Sequence, residues 1–143
     1  MRAVVAVRQT RVVERVTGIG GFFFQAEDPD TLSRWYAEHL GVGLPPASLE
    51  DDVAADEEWY QEAGPTVFAP FGRQHWESPH LGEHRWGVNF RVRDLDAMVA
   101  QLRYVGIAVE VDHEPHPSGR FAQLHDPEGN AVQLWEPADP NGS

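Results

Sequence analysis

Hydrophobic and polar positions between residues 86 and 136 alternate as in strands, except over one stretch with helical spacing. Residues 86–92 form a strand-like run that ends before Asp94, a favourable helix N-cap. Apolar residues then recur at helical spacing up to Gly106, a residue type that commonly ends helices. Further strand-like runs follow at 107–111, 121–125 and 131–135. The pattern predicts a unit of one strand, one helix and three strands.

The same pattern occurs earlier in the chain. A shift of 66 residues places several glycine, phenylalanine and aspartate residues of the first half on identical residues of the second. The coinciding pairs are Gly21 and Gly87, Phe24 and Phe90, Asp28 and Asp94, and Asp30 and Asp96. Two unrelated amphipathic units could share capping residues by chance, but the nearly constant offset favours an internal duplication.

The first unit reads in the same order. Residues 19–26 form a strand-like run whose three phenylalanines, at 22–24, are apolar on both faces, so this strand is predicted to be buried on both sides. Asp28 and Pro29 are suited to the N-cap and first position of a helix. Strands are predicted at 59–61 and 66–69. The apolar stripe of the helix is Leu32, Trp35, Tyr36 and Leu40.

Composition limits the possible partners. The chain has 143 residues, a formal net charge of −12 and no cysteine. This charge repels phosphate backbones and anionic membranes, so neither nucleic acid nor a membrane is an expected partner. No apolar run approaches the roughly 20 residues of a membrane span. The absence of cysteine removes disulfides and thiolate metal sites. We expect a cytoplasmic location and a small-molecule ligand.

The units suggest a division of the chain. Residues 1–18 are an N-terminal arm, either a strand that pairs with another subunit or the product of an over-long start site. A single domain follows at 19–137, made of modules 19–71 and 86–137 with a linker at 72–85, and 138–143 form a tail. The linker carries three of the seven histidines, but its proline and glycine disfavour a helix that would align them. A lid over a pocket is therefore preferred to a metal site.

Several motifs carry a resemblance to a known family. They lie at 20–24, 28–29, 35–41, 89–97 and 125–136, the last containing the turn Asp-Pro-Glu-Gly-Asn. The chain resembles the vicinal oxygen chelate superfamily, which includes glyoxalase I, bleomycin-resistance proteins and extradiol dioxygenases. The resemblance implies an α+β fold in which two βαβββ modules in tandem form a curled mixed sheet, a cup, with flanking helices. It also implies a homodimer, and the cup could close within one chain or across the dimer.

The resemblance also locates the positions that bind a metal in family enzymes. They fall on Gly21 and Gly87 in the first strand of each module, and near Val67 and on Gln133 in the last. Glycine and valine offer no side-chain donor, and one neutral amide oxygen cannot hold a divalent ion alone. We therefore predict neither metal nor cofactor.

Strand alternation indicates which side chains share the ligand face of the cup. The predicted ligand-binding residues are Phe23, Gln25, Asn89, Arg91, Gln123, Gln133 and Trp135. Phe121, His125 and Ala131 are predicted to share that face. This set suits a flat or partly apolar molecule with carbonyl or carboxylate groups, to which Arg91 could make a bidentate contact. Alternatively, these side chains fill one another's space or lie in a dimer interface.

Three functions remain open from the sequence. The first, which we favour, is a metal-free binder of a small organic molecule, of the bleomycin-resistance type. The second is a cofactor-free enzyme with His113, His116 or His125 as general base and Arg91 steadying an oxyanion. The third is a metal-dependent lyase or dioxygenase of the glyoxalase kind, which the substituted ligand positions disfavour.

Overall fold

The computed structural model describes residues 14–43, 59–73 and 84–139. Most of the predicted N-terminal arm therefore lies outside the described residues, as do positions 74–83 of the predicted linker and the end of the tail. Two of the three linker histidines, at 75 and 80, are among the residues not described. The acidic stretch of sequence at 50–58, which would be expected on the surface, also lies outside the described residues.

The second module forms as the hydrophobic pattern predicts. Its elements, in chain order, are β1 (Val88–Arg91), helix α2 (Leu95–Tyr104), β2 (Glu110–Val111), β3 (Gly119–His125) and β4 (Ala131–Pro137). The strands form one mixed sheet in the order β1-β4-β3-β2. β1 and β4 are parallel, whereas β3 is antiparallel to both of its neighbours. The α+β class is confirmed, and the strand predicted at 107–111 is shortened to two residues.

Helix α2 covers one face of this sheet. Asp94 caps it by accepting a hydrogen bond from the backbone N–H of Ala97, at 3.0 Å. The buried side of the helix consists of Leu95, Val99 and Leu102, three of the four apolar residues at helical spacing, and the fourth, Met98, is partly buried. They pack with the even-numbered residues of the strands, of which Ala122, Leu124, Val132 and Leu134 are buried. The odd-numbered residues are consequently left for the opposite face.

The helix of the first module also forms. α1 spans Pro29–Trp35 and continues as a π-helical turn over Tyr36–Leu40, which ends at Gly41 with φ of 66°. Asp28 caps α1 by accepting bonds from the backbone N–H and the hydroxyl of Thr31, at 3.1 and 2.7 Å. These bonds lower the pKa of the Asp28 carboxyl.

The strands predicted for the first module do not form. No strand is assigned within residues 14–43 or 59–73, although 19–26, 59–61 and 66–69 have strand-like sequences. The prediction that residues 22–24 are buried on both sides is also wrong, because the side chain of Phe23 is 93% exposed. Phe22 and Phe24 pack instead against Trp86, with ring centroids 5.1 and 5.6 Å apart. This segment is thus fixed by side-chain contacts on one side and has no backbone partner that would make it a strand.

A buried hydrogen bond joins the two modules. The hydroxyl of Tyr36 donates to Oδ2 of Asp126 at 2.7 Å, and Asp126 is the buried charged residue of the described core. Asp126 also accepts bonds from the backbone N–H groups of Glu128 and Asn130 and from the Asn130 amide. In the same turn, the Glu128 carboxylate accepts the backbone N–H groups of Glu27 and Asp28, where α1 begins. We call the turn at 126–130, with these bonds to α1, the module clamp.

The module clamp makes the free energy of unfolding depend on pH in the alkaline range. Burial, and then the bond to Asp126, raises the pKa of the Tyr36 hydroxyl above its usual value near 10. The folded state therefore retains the proton that the unfolded chain loses above about pH 10. The contribution of Tyr36 to the free energy of unfolding is fully present below that pH. It falls as the pH rises, by at most about 1.4 kcal/mol per pH unit.

Tyr36→Phe is expected to separate this effect from other alkaline titrations. At pH 7 the variant should lose about 1–2 kcal/mol of unfolding free energy, since the Asp126 carboxylate keeps three of its four bonds. Between pH 9 and 11 its stability should decline less steeply than that of the wild type. Urea unfolding across this range measures both, and parallel declines would contradict the assignment.

Candidate functional site

Two rows of side chains lie on the sheet face opposite α2. Strand pairing aligns Asn89, Gln133 and Gln123 in one row of amides. Two residues further along the strands, it aligns Arg91, Trp135 and Phe121 in a second row. All five predicted site residues in the second module therefore lie together on one face. We call this the cup face.

The amide row is already hydrogen-bonded within itself. Nδ2 of Asn89 donates to Oε1 of Gln133 at 2.7 Å, which fixes the orientation of the Gln133 amide. The second row is flatter and more apolar. The rings of Phe121 and Trp135 are parallel within 7°, with centroids 6.4 Å apart. Trp135 is only 8% exposed and its indole N–H donates to the carbonyl of Ser118, so it forms the base of the face rather than an open contact.

The two first-module residues of the predicted site lie on an exposed side of their segment. Phe22 and Phe24 contact Trp86, and Phe24 also contacts Tyr36, at 6.3 Å between ring centroids. Phe23 and Gln25 alternate with them and are exposed. The alternation predicted for this segment is therefore present without the strand.

A segment of the first module lies over the guanidinium of Arg91. Nη2 of Arg91 donates to the carbonyl oxygen of Glu62 at 3.1 Å. A β-carbon at position 64 would overlap Nη1 of Arg91, so only glycine permits this approach. The carboxylate of Glu62 also forms an ion pair with Arg93. We call residues 62–64 the covering segment. No hydrophobic pattern or motif in the sequence indicates this contact.

A cavity of about 640 Å³ lies at the end of the sheet next to the second row. Its lining includes Arg93, two residues after Arg91, and Gly119, two residues before Phe121. It also includes Pro137, two residues after Trp135. By strand alternation Gly119 and Pro137 have the orientation of the second row, whereas Arg120 and Glu136, which also line the cavity, bond to the start of α2 on the other side of the sheet. The remaining lining residues are 112–116, Arg120, Glu136 and 138–139. Of these, only His113 and His116 are candidate functional residues from the sequence. None of the seven predicted ligand-binding residues lines this cavity.

The three candidate bases are not brought together. His113 and His116 line the cavity, whereas His125 is at the far end of β3, paired with Ala131. Nδ1 of His116 accepts the backbone N–H of Ser118 at 3.1 Å, and its ring packs edge-on against Phe121 at 5.3 Å. This bond leaves the proton of the neutral imidazole on Nε2, so towards a ligand in the cavity His116 would be a hydrogen-bond donor rather than a base.

The positions that bind a metal in the family do not fit one here. Gly21 and Gly87 have no side-chain donor, Val67 is exposed, and the Gln133 amide oxygen already accepts the Asn89 amide. Within residues 14–43, 59–73 and 84–139, no three histidine, aspartate or glutamate side chains are grouped as metal ligands. The donor set of this chain is thus unsuited to a divalent ion at those positions.

Solved structures provide further comparison. A glyoxalase/bleomycin resistance protein from Streptomyces sp. CB03234 is 38% identical, with a TM-score of 0.32. The alignment covers 35% of this chain and 43% of that protein's chain. A putative glyoxalase family protein from Bacillus anthracis is 30% identical, with a TM-score of 0.34 over 38% of this chain and 43% of its own. This chain thus spans less than half of each of those two structures.

TnmS3, an antibiotic binding protein from the same Streptomyces strain, aligns more fully. It is 23% identical, with a TM-score of 0.52 over 87% of this chain and 99% of its own. At this identity the likeness is one of fold. No protein of curated function matches the sequence. In the part of the chain that the structure describes, no helix is long and apolar enough to cross a membrane.

A family-wide comparison covers most of the chain. The family described as glyoxalase-like domain matches residues 21–135, which include α1, the covering segment and nearly all of the four-stranded sheet. The match has nearly the same limits as the duplicated pattern of the sequence. The chain therefore belongs to the glyoxalase-like domain family, within the vicinal oxygen chelate superfamily.

Proposed function

We propose that this chain binds a small, flat organic molecule with carbonyl or carboxylate groups on the cup face, without a metal. The observation that carries the proposal is the pair of adjacent rows, one of amides and one with a guanidinium beside stacked aromatic rings. Amides and a guanidinium recognise oxygen atoms, and the half-buried ring of Phe121, next to the buried ring of Trp135, offers a flat apolar surface. TnmS3, which shares the fold, is an antibiotic binding protein.

The size of the adjoining cavity supports the proposal. Ligand sites of proteins commonly enclose roughly 300–1,000 Å³ and combine apolar walls with a few polar groups. The cavity next to the second row, at about 640 Å³, lies within that range. A ligand on Phe121 could extend into it past Arg93.

Arg91→Ala tests the proposal. Two probes serve, 2-naphthoate and its uncharged relative 2-methylnaphthalene, which has no acceptor. We expect calorimetric or fluorescence titration to show both binding to the wild type. The variant should bind 2-naphthoate about 10- to 150-fold more weakly, since one charged hydrogen-bonding partner contributes roughly 1.5–3 kcal/mol. The affinity for 2-methylnaphthalene should stay the same.

Arg34→Ala is the matched control, because Arg34 is an exposed arginine of α1 that lies outside the cup face. It should leave both affinities unchanged. Failure of both probes to bind the wild type would contradict the proposed function. An equal loss of 2-naphthoate affinity in the two variants would remove Arg91 from the site.

We also propose a homodimer in the cytoplasm, in which a second copy covers the exposed apolar side chains of the first module. Phe23, Tyr60, Val67 and Phe68 are each at least 70% exposed. In the described sheet, β1 is an edge strand with an unpaired side. Exposed apolar side chains and an open strand edge each favour association. Light scattering should give twice the monomer mass, and Phe68→Asp should shift it toward the monomer; a wild-type monomer would contradict the dimer.

One observation favours a second candidate, a cofactor-free enzyme. His113 and His116 both line the cavity beside the second row. With its Nδ1 held by Ser118, His116 could donate a hydrogen bond from Nε2 to a ligand oxygen, which leaves His113 as the general base. His113→Ala should then abolish any activity, and an unchanged rate in this variant would count against the enzyme.

A further inference from the structure

We propose that the covering segment, residues 62–64, reserves Arg91 for anionic ligands. The inference rests on the proposed function and narrows its ligand class to carboxylates and similar anions. It follows from what now occupies the guanidinium: a neutral backbone carbonyl, from Glu62. A ligand that uses Arg91 must first displace that carbonyl.

The exchange favours an anion over a neutral molecule. Hydrogen bonds from a guanidinium to a carboxylate are shorter and roughly twice as strong as those to a neutral acceptor, and they are often bidentate. A carboxylate therefore gains on replacing the Glu62 carbonyl. A neutral ligand carbonyl would form a hydrogen bond no stronger than that of the Glu62 carbonyl. The free energy lost on displacing the segment would therefore not be offset. A neutral ligand would leave the carbonyl in place and bind elsewhere on the cup face.

The segment is fixed in a way that allows displacement. Its anchor is the ion pair between Glu62 and Arg93, whose side chains are 78% and 85% exposed. Such exposed pairs contribute little to stability because both partners remain hydrated. The Glu62 carboxylate, which is paired with a second arginine, Arg93, is itself the kind of group that an anionic ligand would carry. An incoming anion could thus find Arg91 and Arg93 released together.

Gly64 provides a test that leaves the charge unchanged. A β-carbon at this position would overlap Nη1 of Arg91, the mobile end of a long side chain, so Gly64→Ala should separate Arg91 from the segment. Glu62→Gln should loosen the same segment by removing its ion pair with Arg93. The second variant also removes a negative charge near the cup face, which by itself would raise affinity for any anion. Only Gly64→Ala distinguishes displacement from general electrostatics.

The experiment measures binding of 2-naphthoate and 2-methylnaphthalene to the full-length chain. Both variants should bind 2-naphthoate about two- to fivefold more tightly, the change expected for losing one weak competing contact. Neither should change its affinity for 2-methylnaphthalene, which has no acceptor for Arg91. Two controls match the substitutions: Gly18→Ala, where a β-carbon meets nothing within 4 Å, and Glu38→Gln on the first helix. Both controls should bind like the wild type.

The outcomes separate the inference from the function on which it rests. If 2-naphthoate binds through Arg91 but Gly64→Ala leaves its affinity unchanged or weaker, the covering segment has no such role, while the cup face remains the binding site. Tightening by Glu62→Gln alone would likewise exclude displacement of the segment and assign the effect to charge. If neither probe binds any variant, the proposed function is overturned and the inference with it.

Discussion

Asp126→Ala is expected to lower the free energy of unfolding by about 3–4 kcal/mol, among the largest effects of a single substitution in this chain. The carboxylate accepts four hydrogen bonds in a buried position, including the Tyr36 hydroxyl from the other module. Its removal leaves buried donors without acceptors, and each such donor costs roughly 1–3 kcal/mol. Urea unfolding followed by circular dichroism would measure the loss.

Asp112→Ala is the matched control for this substitution. Its carboxylate also accepts a backbone N–H within a turn, from Glu114 at 3.0 Å, but it is exposed and belongs to one module only. The control should cost less than about 1 kcal/mol, as is usual for surface substitutions. Equal losses in the two variants would show that the module clamp adds nothing beyond a local turn.

Gly119→Ala should be comparably damaging, with an expected loss of about 3 kcal/mol or more. Gly119 begins β3 with φ of 131°, a conformation that residues with a β-carbon rarely adopt. The added carbon would also overlap the carbonyl oxygen of Glu136 and lie 2.7 Å from the backbone nitrogen of Ala138. Backbone strain of this kind costs roughly 1–3 kcal/mol, and the overlap with rigid β4 adds to it. Thermal or urea unfolding measures the sum.

Gly129→Ala separates the two contributions. Gly129 also has a positive φ, of 83°, but a β-carbon there would meet nothing within 4 Å. Its loss should stay near the roughly 1–2 kcal/mol of a left-handed residue with a side chain. If the two glycine variants were equally stable, the close approach of β3 to β4 would not be what requires glycine at position 119.

The second module could be predicted because its signals are local. Asp94 caps α2, Leu95, Val99 and Leu102 form its buried side, and β4 follows the turn at 126–130. Strand alternation likewise selected the cup face, since a period of two leaves only two possible faces. Asn89, Arg91, Gln123, Gln133 and Trp135 were placed on one face from the sequence, and strand pairing brings them together. That they bind a ligand stays a prediction.

What the sequence could not predict depends on contacts between distant segments. Residues 19–26 have the composition of a strand, but a strand also needs a backbone partner, and hydrophobicity does not say where that partner lies. The carbonyl of Glu62 on Arg91 is a backbone contact and leaves no trace in residue type. Gly64 is the one residue that carries a signal, and a glycine next to proline is read first as a turn.

The module clamp has a consequence for how the protein is made. Glu128 bonds to backbone groups 100 and 101 positions earlier, where α1 begins, and the Tyr36 partner Asp126 is 90 positions away. A nascent chain leaves the ribosome N-terminus first, so α1 emerges well before the turn that secures it. Contacts of such long sequence separation are slow to form. The apolar residues of the N-terminal half are therefore open to holding chaperones until the turn at 126–130 has emerged from the ribosome.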